Sequence, residues 1–247
     1  MRLTDKGSGE PREHRVEQRP LALIVGAGDG LGAALARVFG DEGGMRVALA
    51  SRHPERMQAL AASLGGLALG CDATVQSEVE GLFARLDREH PDGPEVVIYN
   101  AGARLRAPIA EIDPGQAAQA LQVNAHGALL VAQQAARRML ARSRGTLLFT
   151  GASASVKGFA GSSVFAMGKF AQRGLAQALA RELAPQGVHV AHVVIDGGIA
   201  HPQRPAPARE HAQLDPLAIA RNYLHLARQP RSAWTWEIEL RPWVEAF

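Results

Sequence analysis

This chain has almost no cysteine, little lysine and no long apolar run. The one cysteine among its 247 residues is Cys71. That excludes an intrachain disulfide and any metal centre built from several thiolates, and it fits a reduced, cytoplasmic setting. No apolar stretch reaches the roughly 18 residues of a membrane-spanning helix. The segment Met1 to Pro20 is charged and lacks the apolar centre of a signal peptide. Residues 1–20 therefore read as a flexible tail ahead of a domain over residues 21–247. Charge of one sign is not concentrated anywhere. The net charge is +3 with a pI near 9.5, yet basic and acidic residues are interspersed, as in Arg181-Glu182 and along Glu237 to Arg241. Neither nucleic acid nor a membrane surface is the expected partner. Only Lys6, Lys157 and Lys169 are lysines among 27 lysines and arginines, so a lysine at a specific position is noteworthy.

What is present is a regular alternation of apolar runs and helical patterns. Leu21 to Val25, Val47 to Ala50, Leu67 to Leu69, Val96 to Tyr99, Thr146 to Phe149 and Val188 to Ile195 are short apolar runs that suit buried parallel strands. Trp236 to Leu240 alternates like a final strand. Helical spacing covers Leu31 to Phe39, Pro54 to Leu64, Val75 to Glu89, Ser163 to Leu183 and Pro216 to Arg228. A longer helical pattern from Pro114 to Ser143 breaks near Asn124. Strands alternating with helices predict a single doubly wound α/β domain, a parallel sheet of about seven strands with helices on both faces. Three prolines from Pro202 to Pro207 predict a loop over the site. Trp234, Trp236 and Trp243 are expected to pack the last strand or a subunit interface.

Gly26-Ala-Gly-Asp-Gly-Leu-Gly32 lies directly between the first strand and the first helix. Backbone amides in such a turn, at the positive end of a helix, can hold a pyrophosphate, and glycine lets it approach closely. Two frames fit: Gly26, Gly30 and Gly32 as G-x-x-x-G-x-G, or Gly28, Gly30 and Ala33 as G-x-G-x-x-A. At the end of the second strand, where a carboxylate would bind the ribose hydroxyls, the chain has Ser51, Arg52 and His53. Arg52 can stack on adenine or bond a 2′-phosphate, which predicts NADP over NAD. Asp29 in the turn argues mildly the other way.

Asn100-Ala101-Gly102 after the fourth strand, Asn124 in the helix break and Lys169 on a later helix complete a set that resembles the short-chain dehydrogenase/reductase family over Leu21 to Ile199. The resemblance implies a Rossmann-type fold and selects the G-x-x-x-G-x-G frame. It implies cofactor contacts at Gly26, Gly28, Asp29, Gly30, Leu31, Gly32, Arg52, Asp72, Ala73, Asn100, Ala101, Gly102 and Lys169. Asp72 would meet the adenine amino group, although it could equally cap the helix that follows. Gly197 and Ile199, in Asp196-Gly-Gly-Ile199 where the family has Pro-Gly, would flank the nicotinamide carboxamide. A homodimer or homotetramer is also implied.

The same resemblance implies a catalytic Asn, Ser, Tyr and Lys. Asn124 and Lys169 match. The Tyr position, four residues before Lys169, holds Phe165, which has no hydroxyl to donate. The family Ser spacing falls on Ala152, with Ser153 one residue later. Ser153, Ser155, Ser163, His201 or a water on Lys169 are the substitute proton donors, while Tyr99 sits on a strand expected to be buried. Two functions follow. One is an NADP-preferring oxidoreductase acting on a small carbonyl or alcohol through a modified proton relay. The other is a dinucleotide-binding sensor or subunit without catalysis.

Overall fold

Five consecutive buried residues, Leu21–Val25, form the first strand, β1. Their side chains divide between two cores: Ala22 and Ile24 join one, Leu21, Leu23 and Val25 the other. A strand buried on both faces is the signature of a parallel sheet sandwiched between helices. The computed structural model describes residues 19–201, 203 and 209–245. Residues 1–18, Pro202, residues 204–208 and residues 246–247 lie outside this set, including most of the expected tail and most of the Pro202 to Pro207 segment.

The other strands are β2 (Arg46–Ser51), β3 (Leu67–Gly70), β4 (Pro94–Tyr99), β5 (Thr146–Thr150), β6 (His189–Ile195) and β7 (Glu237–Leu240). They form one sheet in the order β3-β2-β1-β4-β5-β6-β7, and every neighbouring pair is parallel. The helices are α1 (Leu31–Arg37), α2 (Gln58–Ser63), α3 (Gln76–Glu89), α4 (Pro114–Leu121), α5 (Gly127–Ala141), α6 (Ser163–Leu183) and α7 (Pro216–Ala227). Helices α1, α2 and α7 cover one face through Leu35, Phe39, Ala61 and Tyr223. Helices α3, α5 and α6 cover the other through Phe83, Val131, Met139 and Ala176. The expected α/β architecture with seven strands is the one observed.

Boundaries differ in instructive places. The pattern from Pro54 to Leu64 is a 3₁₀ turn, Pro54–Met57, followed by α2, because a proline opens the turn and supplies no amide. The break near Asn124 is a π turn, Gln122–His126, between α4 and α5. The extra residue per turn rotates Asn124 fully inward. A second π turn, Val38–Glu42, extends α1 past its expected end. Of the three tryptophans, Trp234 stacks on His189 with ring centroids 4.9 Å apart and Trp236 lies under Arg173. Trp243 is 70% exposed beneath Arg209 and does not pack on the last strand.

The strand order reverses beside β1, since β2 leaves on one side and β4 on the other. A crevice opens at such a switch point beyond the strands' carboxyl ends. Its two walls are tied together: the Asn100 amide donates to Val25 O at 2.8 Å, and Asn100 Nδ2 donates to Gly26 O at 2.9 Å. Gly26 has φ +85°, and a Cβ there would lie 2.3 Å from the backbone nitrogen of Ala101. Gly26→Ala should therefore destabilise the fold by about 2–4 kcal/mol through strain and backbone overlap. The check is a lower urea-unfolding midpoint with an unchanged slope.

Candidate functional site

Two cavities line the crevice. The larger, about 640 Å³, runs along the ends of β1, β2, β3 and β4. The smaller, about 340 Å³, lies between the phosphate turn, the end of β5 and the segment after β6. Arg104 borders both.

The larger cavity gathers Gly26, Gly28, Arg52, Asp72, Ala73, Asn100, Ala101 and Gly102, all expected from the sequence. The turn has the shape of a cradle. A Cβ at Gly26 or Gly32 would overlap backbone, whereas none lies within 4 Å of the same point at Gly28, where a ligand can approach. Gly30 caps α1 without any side chain on the first-turn amides, although the Ala33 and Ala34 amides are bonded to Gly28 O and Gly30 O within the turn. Arg56 also lines this cavity, a residue the sequence pattern did not single out. It pairs with Asp29 at 2.5 Å, so the carboxylate that argued against a 2′-phosphate is neutralised by a cation from the opposite wall. Asp72 does not cap α3, whose N-terminus has no side-chain cap. Instead its Oδ1 accepts from the Thr74 amide at 2.9 Å and the Thr74 hydroxyl at 2.7 Å. Those bonds, the backbone one foremost and Arg52 to a lesser degree, hold its pKa below the usual carboxylate value.

The smaller cavity gathers Gly30, Leu31, Ala152, Ser153, Phe165, Gly197, Ile199 and His201. Phe165 presents its ring to this space, with the Arg104 guanidinium 5.7 Å from the ring centroid. Ser153 is in the lining, but Ser155 is fully buried and its Oγ accepts from the Ala152 amide at 3.1 Å. Ser163 Oγ is buried without a hydrogen-bond partner and outside the lining. His201 packs against the turn, 3.1 Å from where a Gly30 Cβ would stand. Asp196, just before the Gly-Gly pair, is buried between Lys157 and Arg241, each at 3.1 Å. This pairing anchors the segment that carries Gly197 and Ile199. Tyr99 is fully buried, bonds Val123 O at 2.5 Å, and has its hydroxyl pKa pushed up by desolvation.

Lys169 and Asn124 form the floor and line neither cavity. Asn124 Oδ1 accepts from the Ala103 amide at 3.1 Å, and its Nδ2 donates to Ala103 O at 2.7 Å. Both ends of the amide thus fix the loop after β4. Lys169 is 4% exposed. Its Nζ donates to Thr150 O at 2.7 Å and Gln172 Oε1 at 3.1 Å, and lies 3.7 Å from where a Gly102 Cβ would stand. Burial pushes its pKa down to about 8, because desolvation disfavours the ammonium.

That shift has a definite pH signature. The unfolded chain keeps this proton up to the ordinary lysine value of 10.5, while the folded chain releases it near 8. Between those values unfolding takes up a proton, so raising the pH stabilises the fold. Lys169→Met should abolish this increment, worth up to about 1.4 kcal/mol per pH unit across the window. The difference between wild-type and variant urea midpoints, followed from pH 7 to 10.5, measures it.

A model of the short-chain dehydrogenase family matches residues 20–205. An uncharacterized oxidoreductase of Staphylococcus aureus (strain N315) is 31% identical over 231 residues, covering 90% of this chain and 96% of that protein. A solved short-chain dehydrogenase from Rhodopseudomonas palustris is 34% identical with a TM-score of 0.78, over 91% of this chain and 99% of that one. An alcohol dehydrogenase of the archaeon Thermococcus sibiricus, solved with 5-hydroxy-NADP, shares the fold at 22% identity and a TM-score of 0.83, over 92% of this chain and 98% of that one. With the seven-stranded parallel sheet and the glycine turn at its switch point, these matches establish that the chain belongs to the short-chain dehydrogenase/reductase family of oxidoreductases.

Proposed function

We propose that this protein is an NADP-preferring oxidoreductase acting on a small carbonyl or alcohol, without the tyrosine hydroxyl that the family resemblance leads one to expect. The observation that carries the cofactor half is the adenosine end of the larger cavity. Arg52 and Arg56 line it, the second strand ends in Ser51 instead of a carboxylate, and Asp29 is already paired. Two guanidiniums, with Asp29 paired and Asp72 occupied by the Thr74 amide and hydroxyl, suit a 2′-phosphate. Gly26, Gly28 and Gly32 would admit the pyrophosphate, Asn100 and Ala101 would wall the ribose, and Gly197 and Ile199 would flank the nicotinamide. When bound, the dinucleotide supplies or accepts the hydride.

The chain's own residues then do three things. Thr150 O and Gln172 hold the Lys169 ammonium beneath Gly102, where it would orient the nicotinamide ribose. The cavity walls bring the substrate's reacting carbon close and limit water. The oxygen that becomes a hydroxyl takes its proton from the groups that reach the cavity, the Ser153 hydroxyl, the His201 imidazole or water, since Ser155, Ser163 and Tyr99 are buried away from it. Ala152 and Phe165 favour a second reading, a dinucleotide-binding sensor or subunit without turnover.

NADPH titration followed by fluorescence, combined with NADPH consumption over a panel of aldehydes, ketones and oxo acids, separates the two. Binding with turnover supports the enzyme, binding with silence across the panel supports the sensor, and no binding removes both. Arg56→Gln should weaken NADPH about tenfold or more while leaving NADH within about twofold, because it removes a phosphate partner and unpairs Asp29. Adding Asp29→Asn should recover part of the loss. Phe165→Tyr should raise kcat for a generic ketone about tenfold to a hundredfold, measured at saturating NADPH.

A further inference from the structure

We propose that the cavity beside Phe165 takes a quinone and reduces it to a hydroquinone, a carbonyl substrate whose hydride step needs no acid in the site. The inference rests on the oxidoreductase reading above and names its substrate class. At about 340 Å³ the cavity is of small-molecule size. Leu31, Ala152, Phe165, Ile195, Ile199 and Ala200 give it a largely apolar lining. Gly151, Gly197 and Gly198 add wall without side chains. Glycine backbone and one phenyl ring suit a flat, apolar ring, which can stack on the aromatic face.

The polar groups of the lining offer hydrogen bonds but no acid. Thr150 is already engaged: its carbonyl accepts from Lys169, and its hydroxyl donates to Asn100 and accepts from Tyr223. His201 Nδ1 accepts from the Gln203 amide at 3.2 Å, so in this arrangement the ring donates through Nε2 and carries no surplus proton. Ser153 brings an aliphatic hydroxyl, a weak acid unless a base or relay assists it. Phe165 brings none. A ketone that receives hydride becomes an alkoxide, whose conjugate acid lies near the pKa of about 16 of bulk water. A quinone becomes a hydroquinone monoanion, whose conjugate acid lies near the pKa of about 10 of a tyrosine phenol. The first needs a proton donor as the bond forms, whereas the second persists until water protonates it. The balance is complete: hydride leaves the nicotinamide with both electrons, the dinucleotide is oxidised, the quinone is reduced by two electrons, and one solvent proton finishes the hydroquinone. An iminium would also need no proton, but it is a cation, and the described lining holds no aspartate or glutamate to receive it.

The test compares duroquinone and menadione with 1-tetralone, a ring ketone of similar size, on the full-length protein saturated with NADPH. Reactions run without oxygen, with the rate in the absence of protein subtracted. In the wild type, kcat/KM for the quinones should exceed that for the ketone by at least about a hundredfold. Phe165→Tyr should narrow this ratio about tenfold or more by raising ketone turnover. Phe165→Ala should raise KM for the quinones about threefold or more by removing the stacking face. Exchanging water for D2O should leave quinone kcat nearly unchanged, since no proton moves in the hydride step. Equal turnover of quinone and ketone, a ratio that Phe165→Tyr does not move, or a large solvent isotope effect on quinone kcat overturns the inference. Should a variant misfold, the wild-type ratio and isotope effect decide alone. Ketone turnover without quinone preference removes this inference and leaves the oxidoreductase reading standing. NADPH binding with silence toward every probe, or no NADPH binding, removes both.

Discussion

Thr150, at the carboxyl end of β5, is the junction on which the site depends. Its carbonyl accepts from Lys169 Nζ at 2.7 Å. Its hydroxyl accepts from Tyr223 at 2.9 Å and donates to Asn100 Oδ1 at 3.1 Å, and Asn100 in turn holds Gly26 O. A path of side-chain hydrogen bonds therefore runs from the core under α7, through the end of the sheet, to the first residue of the phosphate turn. Each member is buried or nearly so, and in that setting an unmade bond costs more than a made one contributes. The network consequently fixes the separation of the two walls. Lys169 is the costly element in it. An ammonium with no carboxylate partner, only a carbonyl and an amide oxygen, is destabilised by burial, and its pKa falls to about 8 in consequence. A fold that tolerates this has a reason at the site, since an aliphatic side chain would fill the same space at lower cost.

The strands and the outlines of the helices were legible in the sequence because burial on both faces leaves uninterrupted apolar runs, and caps and prolines mark the helix ends. The break near Asn124 was legible as an interruption, though not as a π turn, because periodicity reports that the register slips without saying how the backbone absorbs it. Long-range pairings were not legible. Arg56 and Asp29 are 27 residues apart on different elements, and nothing local in either stretch announces that one neutralises the other. The same holds for Tyr223, whose hydroxyl reaches Thr150 across 73 residues, and for Arg104, which is separated from the Phe165 ring by α4, α5 and β5. Asp72 shows the converse error of local reasoning. A carboxylate shortly before a helix looks like a cap, yet a threonine two residues on offers both an amide and a hydroxyl and takes it first.

Phe165 changes what chemistry this position can supply. A tyrosine beside a lysine is a neutral donor whose usefulness depends on its pKa, and a phenyl ring has no proton to give. The Arg104 guanidinium, 5.7 Å from the ring centroid, does not replace it, because an arginine is charged at every accessible pH and does not surrender its proton. Any proton for a reacting oxygen would therefore come from the other polar groups that line the same cavity, Ser153 and His201, or from water.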